Sequence, residues 1–213
     1  MTASVHSVDP DALAATRRSL HGVAEHVIAG PQKRRFDTIR LVVSPGGFRG
    51  LHLPVRVEGT DLVADRARVP LAGTYRALGE AVGVDPGAPV GVYTDTSGTD
   101  LDDEVVVDAA AAALLADCWA RGDAALRTFA PDAEVILWPE HFDVGIGVDE
   151  VNYGFSPGDA FHAGPYAYVG PWTPREGDFW NAPFGAVRAE SELPDVDAVL
   201  AFFEEGRRLA KGR

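Results

Sequence analysis

His141 and Asp143 stand two residues apart in the run HFDVGIGV, and an imidazole beside a carboxyl is a chemically competent pair. Phe142, Val144, Ile146 and Val148 recur at period two there, which predicts a strand with one face buried. Successive side chains on a strand point to opposite sides, so His141, Asp143, Gly145 and Gly147 would share the other face. Two glycines on that face leave room for a ligand or another backbone. One chemistry that suits the pair is metal binding, with Glu140, Asp159 or His162 completing a set fit for zinc, iron or manganese, although the spacing matches no established zinc motif. A second is metal-free acid–base catalysis, in which Asp143 fixes the tautomer of His141 and raises its basicity. The plain alternative is a solvated strand face bent by its glycines. Covalent catalysis is disfavoured: the G-x-S-x-G run at Gly154–Gly158 reads as a strand end and a Ser-Pro-Gly turn rather than a strand-to-helix elbow, and Cys118 falls in an apolar helical pattern.

The same region, residues 137–184, holds three of the four tryptophans. Trp138, Trp172, Trp180, Tyr153, Tyr166 and Tyr168 suit a pocket for a ring-bearing ligand, with Asn152, Asn181 and Asp159 fixing its orientation. Aromatics in a sheet serve equally as core, needing one partner for each N–H or O–H. Indole-rich loops also serve as anchors at protein–protein surfaces.

These side chains need elements to hold them. A first helix is expected over residues 10–29, capped by Asp9, opened by Pro10 and stopped at Gly30-Pro31. Leu13, Leu20, Val23 and Val27 form its apolar stripe, leaving His21 and His26 on the surface or rim. Lys33-Arg34-Arg35 then reads as a solvated loop, or as a docking patch for the acidic second half. A strand at 38–43 ends in Ser44-Pro45-Gly46-Gly47, the signature of a type II turn. Alternation at Leu53, Val55, Val57 and an apolar run at 62–64 complete a meander of about three strands. A short helix is expected over 71–82. Residues 85–103, rich in Pro, Gly, Asp and Thr around a strand-like VGVY, read as a boundary or mobile segment.

An Ala-rich helix over 109–129, capped by Asp108, is expected to break at Gly122-Asp123. Strands follow at 134–138, from His141 onward, and at 152–155, the last two joined by a turn over 147–151. Further strands are read at 166–169 and 185–189, flanking a loop that carries Trp172 and Trp180. A last helix spans 195–209. Ser156-Pro157-Gly158-Asp159 repeats the turn chemistry of Ser44–Gly47, a faint sign of duplication.

The net charge of -13 comes wholly from the second half: residues 1–100 carry 11 basic and 11 acidic side chains, residues 101–213 carry 8 and 21. Phosphate backbones and anionic membrane surfaces would repel such a chain, so nucleic acid and membrane partners are not expected. The single Cys118 sits in an apolar helical pattern, which fits a packed thiol in a reducing cytoplasm. The N-terminus lacks the apolar core of a signal peptide, and the longest apolar run, eight residues, is too short for a bilayer.

The segments WPEHFD, VNYGFSPGDA, PYAYVGPW and FWNAPFGA, together with TIRLVVSPGGF and GDAALRTFAP, resemble a bacterial family of uncharacterised proteins. That resemblance implies one coherent fold over most of the chain and transfers no activity.

The expectation is therefore an α+β protein, with antiparallel sheet or sheets and helices packed on one side. Residues 1–84 would form a helix-plus-meander subdomain and residues 104–213 an α+β subdomain, together one compact unit. The function expected is small-molecule binding in a pocket on the His141/Asp143 face, closed by the Trp172–Trp180 loop. A metal-dependent or His/Asp acid–base enzyme and an interaction module are the alternatives. Cofactor and ligand identity are not legible, and self-association is left open.

Overall fold

The computed structural model describes residues 8–212. Ten strands form one antiparallel sheet: β1 (Leu41–Ser44), β2 (Gly47–Gly50), β3 (Val55–Glu58), β4 (Asp61–Ala64), β5 (Ala67–Pro70), β8 (Ile136–Trp138), β9 (Asp143–Val148), β10 (Val151–Ser156), β11 (Tyr166–Pro171) and β12 (Ala186–Ala189). The order β12-β11-β10-β9-β8-β1-β2-β3-β4-β5 is two meanders, each running outward from the seam where Leu41 of β1 faces Leu137 of β8. Strands from both halves thus share a sheet. The remaining pair, β6 (Gly73–Thr74) and β7 (Glu104–Val105), is a separate small ladder. The fold is α+β.

Each meander follows a helical segment. Ahead of β1 run α1 (Pro10–Gly22), a π-helical turn (Val23–Ala29) and α2 (Gly30–Phe36); ahead of β8 runs α4 (Ala109–Phe129). The two SPG turns do not mark equivalent points, since Ser44 ends the first strand of its meander, β1, and Ser156 the third of its own, β10. α3 (Tyr75–Ala81) fills the middle, and α5 (Val196–Ala210) closes the chain. α4 packs on β1, β2, β9 and β10, and α5 on β10 and β11. Val144, Tyr153 and Phe155 point to that side and are buried. Among the described residues no helix is long and apolar enough to cross a membrane.

Three departures from the sequence expectation have physical causes. The first helix does not stop at Gly30-Pro31 but continues to Phe36, where Asp37 takes a left-handed φ of 58°. In the π register, the N–H that Pro31 lacks would have met the carbonyl of His26, and that carbonyl instead accepts from Gly87 N at 2.8 Å. Lys33, Arg34 and Arg35 are therefore helical. α4 is not broken at Gly122: a Cβ there would lie 2.7 Å from Phe155 Cβ, so the glycine serves close helix–sheet approach. The first meander has five strands rather than about three: β2 offers one apolar side chain, Phe48, between Gly47 and Gly50, and β5 has no buried residue, so neither carries an apolar stripe.

Smaller corrections follow the same logic. The third helix begins at Tyr75, because Thr74 caps it by accepting from Ala77 N. Residues 90–93 form no strand. The hairpin between β9 and β10 is a two-residue turn, Asp149-Glu150, with φ of 55° and 61°. Gly46 has the positive φ of 75° that a type II turn requires.

Candidate functional site

β9, β10 and β11 have α4 and α5 against one face. The opposite face carries three rows of residues in register: Gly147, Asn152 and Gly170; Gly145, Gly154 and Tyr168; Ser156 and Tyr166. These rows floor a trough with a cavity of about 930 Å³ above it, and of their glycines Gly170 lines it while Gly145 and Gly154 lie beneath the Tyr168 side chain. Asp143, Asn152, Ser156, Tyr166 and Tyr168 form its floor. α1 supplies one wall through Arg17, Arg18 and His21, the loop at Asp95–Ser97 another, and the turn bearing Glu140, His141 and Phe142 closes the near end. Trp172 and Phe184 stand at the mouth, 67% and 42% exposed.

The centre of the floor is a buried pair. The Tyr168 ring crosses Gly154 and Gly145, and its hydroxyl donates to Oδ2 of Asp143. A Cβ at Gly154 would lie 2.4 Å from that hydroxyl oxygen, so the path exists only over glycine. Asp143 is 6% exposed, and its Oδ1 makes no hydrogen bond among the described residues. Burial lifts the Asp143 carboxyl above the usual carboxylate range, against the pull of the Tyr168 hydroxyl and the His141 charge. Burial, then the neighbouring carboxylate, raises the Tyr168 phenol in turn. With Tyr168 donating to Oδ2, a proton held by this carboxyl resides on Oδ1.

Several other polar groups of the lining are engaged with the protein. The Tyr166 hydroxyl donates to Asp159 Oδ2 at 2.6 Å, and Asp159 Oδ1 accepts from the backbone N–H groups of Phe161 and His162. Trp172 Nε1 donates to Asn152 Oδ1 at 3.1 Å. Arg17 Nη1 donates to the carbonyls of Ala163, at 2.6 Å, and Pro157. Arg18 holds Gly98 O at 2.7 Å and Asp103. His21 stacks on Phe142 with ring centroids 5.0 Å apart, and its Nε2 donates to Pro139 O at 2.6 Å. Burial lowers the His21 imidazole, although Glu25 opposes this.

Glu25 lies beneath that wall, 1% exposed on the π-helical turn, and accepts from the N–H and hydroxyl of Ser97. This contact holds the Asp95–Ser97 loop against α1. The π turn therefore builds one side of the cavity.

Of the residues expected to form the site, Glu140, His141, Asp143, Asn152, Asp159, Tyr166, Tyr168 and Trp172 meet in the trough. His141 is not on the strand face: it sits in the turn before β9, where Phe142 takes a φ of 56°. Its Nδ1 lies 3.3 Å from Asp95 Oδ2, so its nearest carboxylate comes from another loop and Asp143 pairs with Tyr168. Trp138 faces Asp143 across the β8–β9 ladder without lining the trough. Tyr153 points the other way, 4.6 Å ring to ring from Phe129 under α5. Trp180 meets Phe179 edge-on, and Asn181 exchanges two hydrogen bonds with Val187, so neither reaches the cavity. His162 turns its Nδ1 to Gly164 O at 2.8 Å. Among the described residues no three His, Cys, Asp and Glu side chains converge as a metal site requires.

Arg17, Arg18, His21, Asp95 and Ser156 were not anticipated. His21 departs from the apolar stripe of its helix, and Ser156 is the serine of the G-x-S-x-G run Gly154–Gly158, which ends β10 with no helix after it. Comparison with protein-family models, with curated proteins and with solved structures finds no match for this chain.

Proposed function

We propose that this protein binds a small organic molecule in the trough above β9–β11, with the flat or apolar part of the ligand at the aromatic mouth and one polar end on the floor. The observation that carries this reading is the Asp143 carboxyl: the residue lies in the floor of a cavity of about 930 Å³, and its Oδ1 is a buried atom without a hydrogen-bond partner among the described residues. Ligand pockets of about 300–1,000 Å³ with a few convergent polar groups are the usual form of a small-molecule site. Buried polar atoms without partners are rare, and one that lines a cavity is placed for a ligand to satisfy.

The same carboxyl supports a second reading, acid–base catalysis with Asp143 as proton donor. A carboxyl held neutral by burial is how an enzyme keeps an acid at neutral pH. Its partner would be Tyr168 rather than His141.

A thermal-shift screen of ring-bearing fragments tests the binding reading, repeated on Trp172→Ala. Trp172 is exposed, so the variant should melt near the parent. A fragment that raises the midpoint of the parent and fails with Trp172→Ala supports the trough. Binders whose effect survives both Trp172→Ala and Asp143→Asn lie elsewhere and would sink the reading.

A further inference from the structure

We propose that the polar end of the ligand is an amine, bound as an ammonium group on Oδ1 of Asp143. This rests on the trough being the binding site, and it follows from which groups there are already satisfied. The hydroxyls of Tyr168 and Tyr166 donate to Asp143 and Asp159, and Trp172 Nε1 donates to Asn152. The acceptor left over at the floor is Asp143 Oδ1. Once the carboxyl is ionised, this oxygen is the unpaired charge of the floor, and a donor on the ligand would satisfy it.

Charge points the same way. Asp95, Glu140, Asp143 and Asp159 line the cavity against Arg17 and Arg18, and both arginines are turned to backbone carbonyls and to Asp103. A ligand carboxylate would meet no unengaged cation on the floor and would face several acids. An ammonium gains a charge-assisted hydrogen bond in a low-dielectric setting. A metal ion fits less well, since no three ligating side chains converge among the described residues.

The proton balance is simple. Burial raises this carboxyl, and whenever it is protonated the proton sits on Oδ1 and must leave before that oxygen can accept. An ammonium arriving from solution displaces that proton to the buffer and leaves an ammonium–carboxylate pair; an amine arriving neutral takes the proton directly. The charged and titratable groups facing Asp143 are Tyr168 and Tyr166 from β11 and Glu140 and His141 from the preceding turn. His141 stabilises the ionised form and Glu140 opposes it.

The experiment is calorimetry with three probes of one shape: 2-phenylethylamine, 2-phenylethanol and 3-phenylpropionate. The amine should bind the parent about tenfold or more tighter than the alcohol, the carboxylate weakest of all, since hydrogen bonds to charged groups are worth about 1.5–3 kcal/mol. Asp143→Asn should erase the preference for the amine over the alcohol. Repeating the amine titration on the parent in two buffers of different ionisation enthalpy counts released protons and needs no variant. Release that fades as pH rises, with affinity rising, is the expected signature. If the alcohol or carboxylate binds as tightly as the amine, and that binding depends on Trp172, the trough stands and the amine assignment falls. If no probe binds, both fall.

Discussion

The Tyr168 hydroxyl reaches the Asp143 carboxyl across two glycines on neighbouring strands, and this pair, rather than His141 with Asp143, is the polar centre of the fold. Its position sets a pH dependence. The folded carboxyl holds its proton to higher pH than the unfolded one, because burial disfavours the charge. Folding therefore binds a proton between the two values, and stability is lost as pH rises from the unfolded value through the folded one.

Asp143→Asn removes that ionisation and keeps an oxygen that can accept from Tyr168. The variant should be more stable than the parent at neutral pH, by about 1 kcal/mol or more. The gap should close toward acid, where both side chains are neutral. Urea denaturation at several pH values checks this. A parent more stable than the variant at neutral pH would mean that Asp143 is ionised in the fold.

Gly122→Ala tests the reading of α4 as an unbroken helix pressed on the sheet. In a solvent-facing helix the change would gain about 1 kcal/mol of propensity. Here the new methyl would sit 2.7 Å from Phe155 Cβ and 2.9 Å from Val144 Cγ1. Overpacking of this kind typically destabilises by about 1–3 kcal/mol, so a net loss is expected in chemical denaturation. A gain in stability would show that the helix has room to move.

What could be read in the sequence was what depends on local pattern. Alternation at Val144 and Ile146 gave the core face of β9, and Asp9, Asp108 and Asp195 cap helices as their types suggest. What could not be read depends on distant chain segments. The carbonyl of His26 is satisfied by Gly87, which no local signal reveals and which lets the helix pass Gly30-Pro31. The same holds for the trough. Asp143, Asn152 and Asp159 were placed in it by residue type and strand face, whereas its α1 wall is fixed by contacts such as His21 to Pro139, 118 residues away. Tyr153 and Tyr168 both lie on strands, and the side each takes follows from the register of β10 with β11.

Cys118 offers a direct check on core packing. The side chain is fully buried, and burial pushes its thiol up to about 12, with Arg121 opposing the shift. The thiolate is the reactive form, so the native protein should resist an aromatic disulfide reagent at pH 8 and react with one equivalent once denatured. Rapid labelling of the native state would contradict the packing of α4.

Arg17 ties the end of the trough to α1, and its removal should loosen one segment rather than the whole fold. Its Nη1 donates to Ala163 O and Pro157 O, and a Cβ on Gly158, which has a φ of 97°, would lie 2.5 Å from that nitrogen. Inside the segment, Asp159 N donates to His162 O, and Asp159 in turn holds Phe161, His162 and Tyr166. Arg17→Met keeps the aliphatic stem and deletes the donors. Leaving a part-buried carbonyl unpaired is worth about 1–3 kcal/mol, so amide exchange across residues 158–164 should speed up by about tenfold or more. The core strands β9 and β10 should keep their protection. Faster exchange spread evenly over the sheet would mean that Arg17 supports global stability, and unchanged exchange at 158–164 would mean that the segment holds itself.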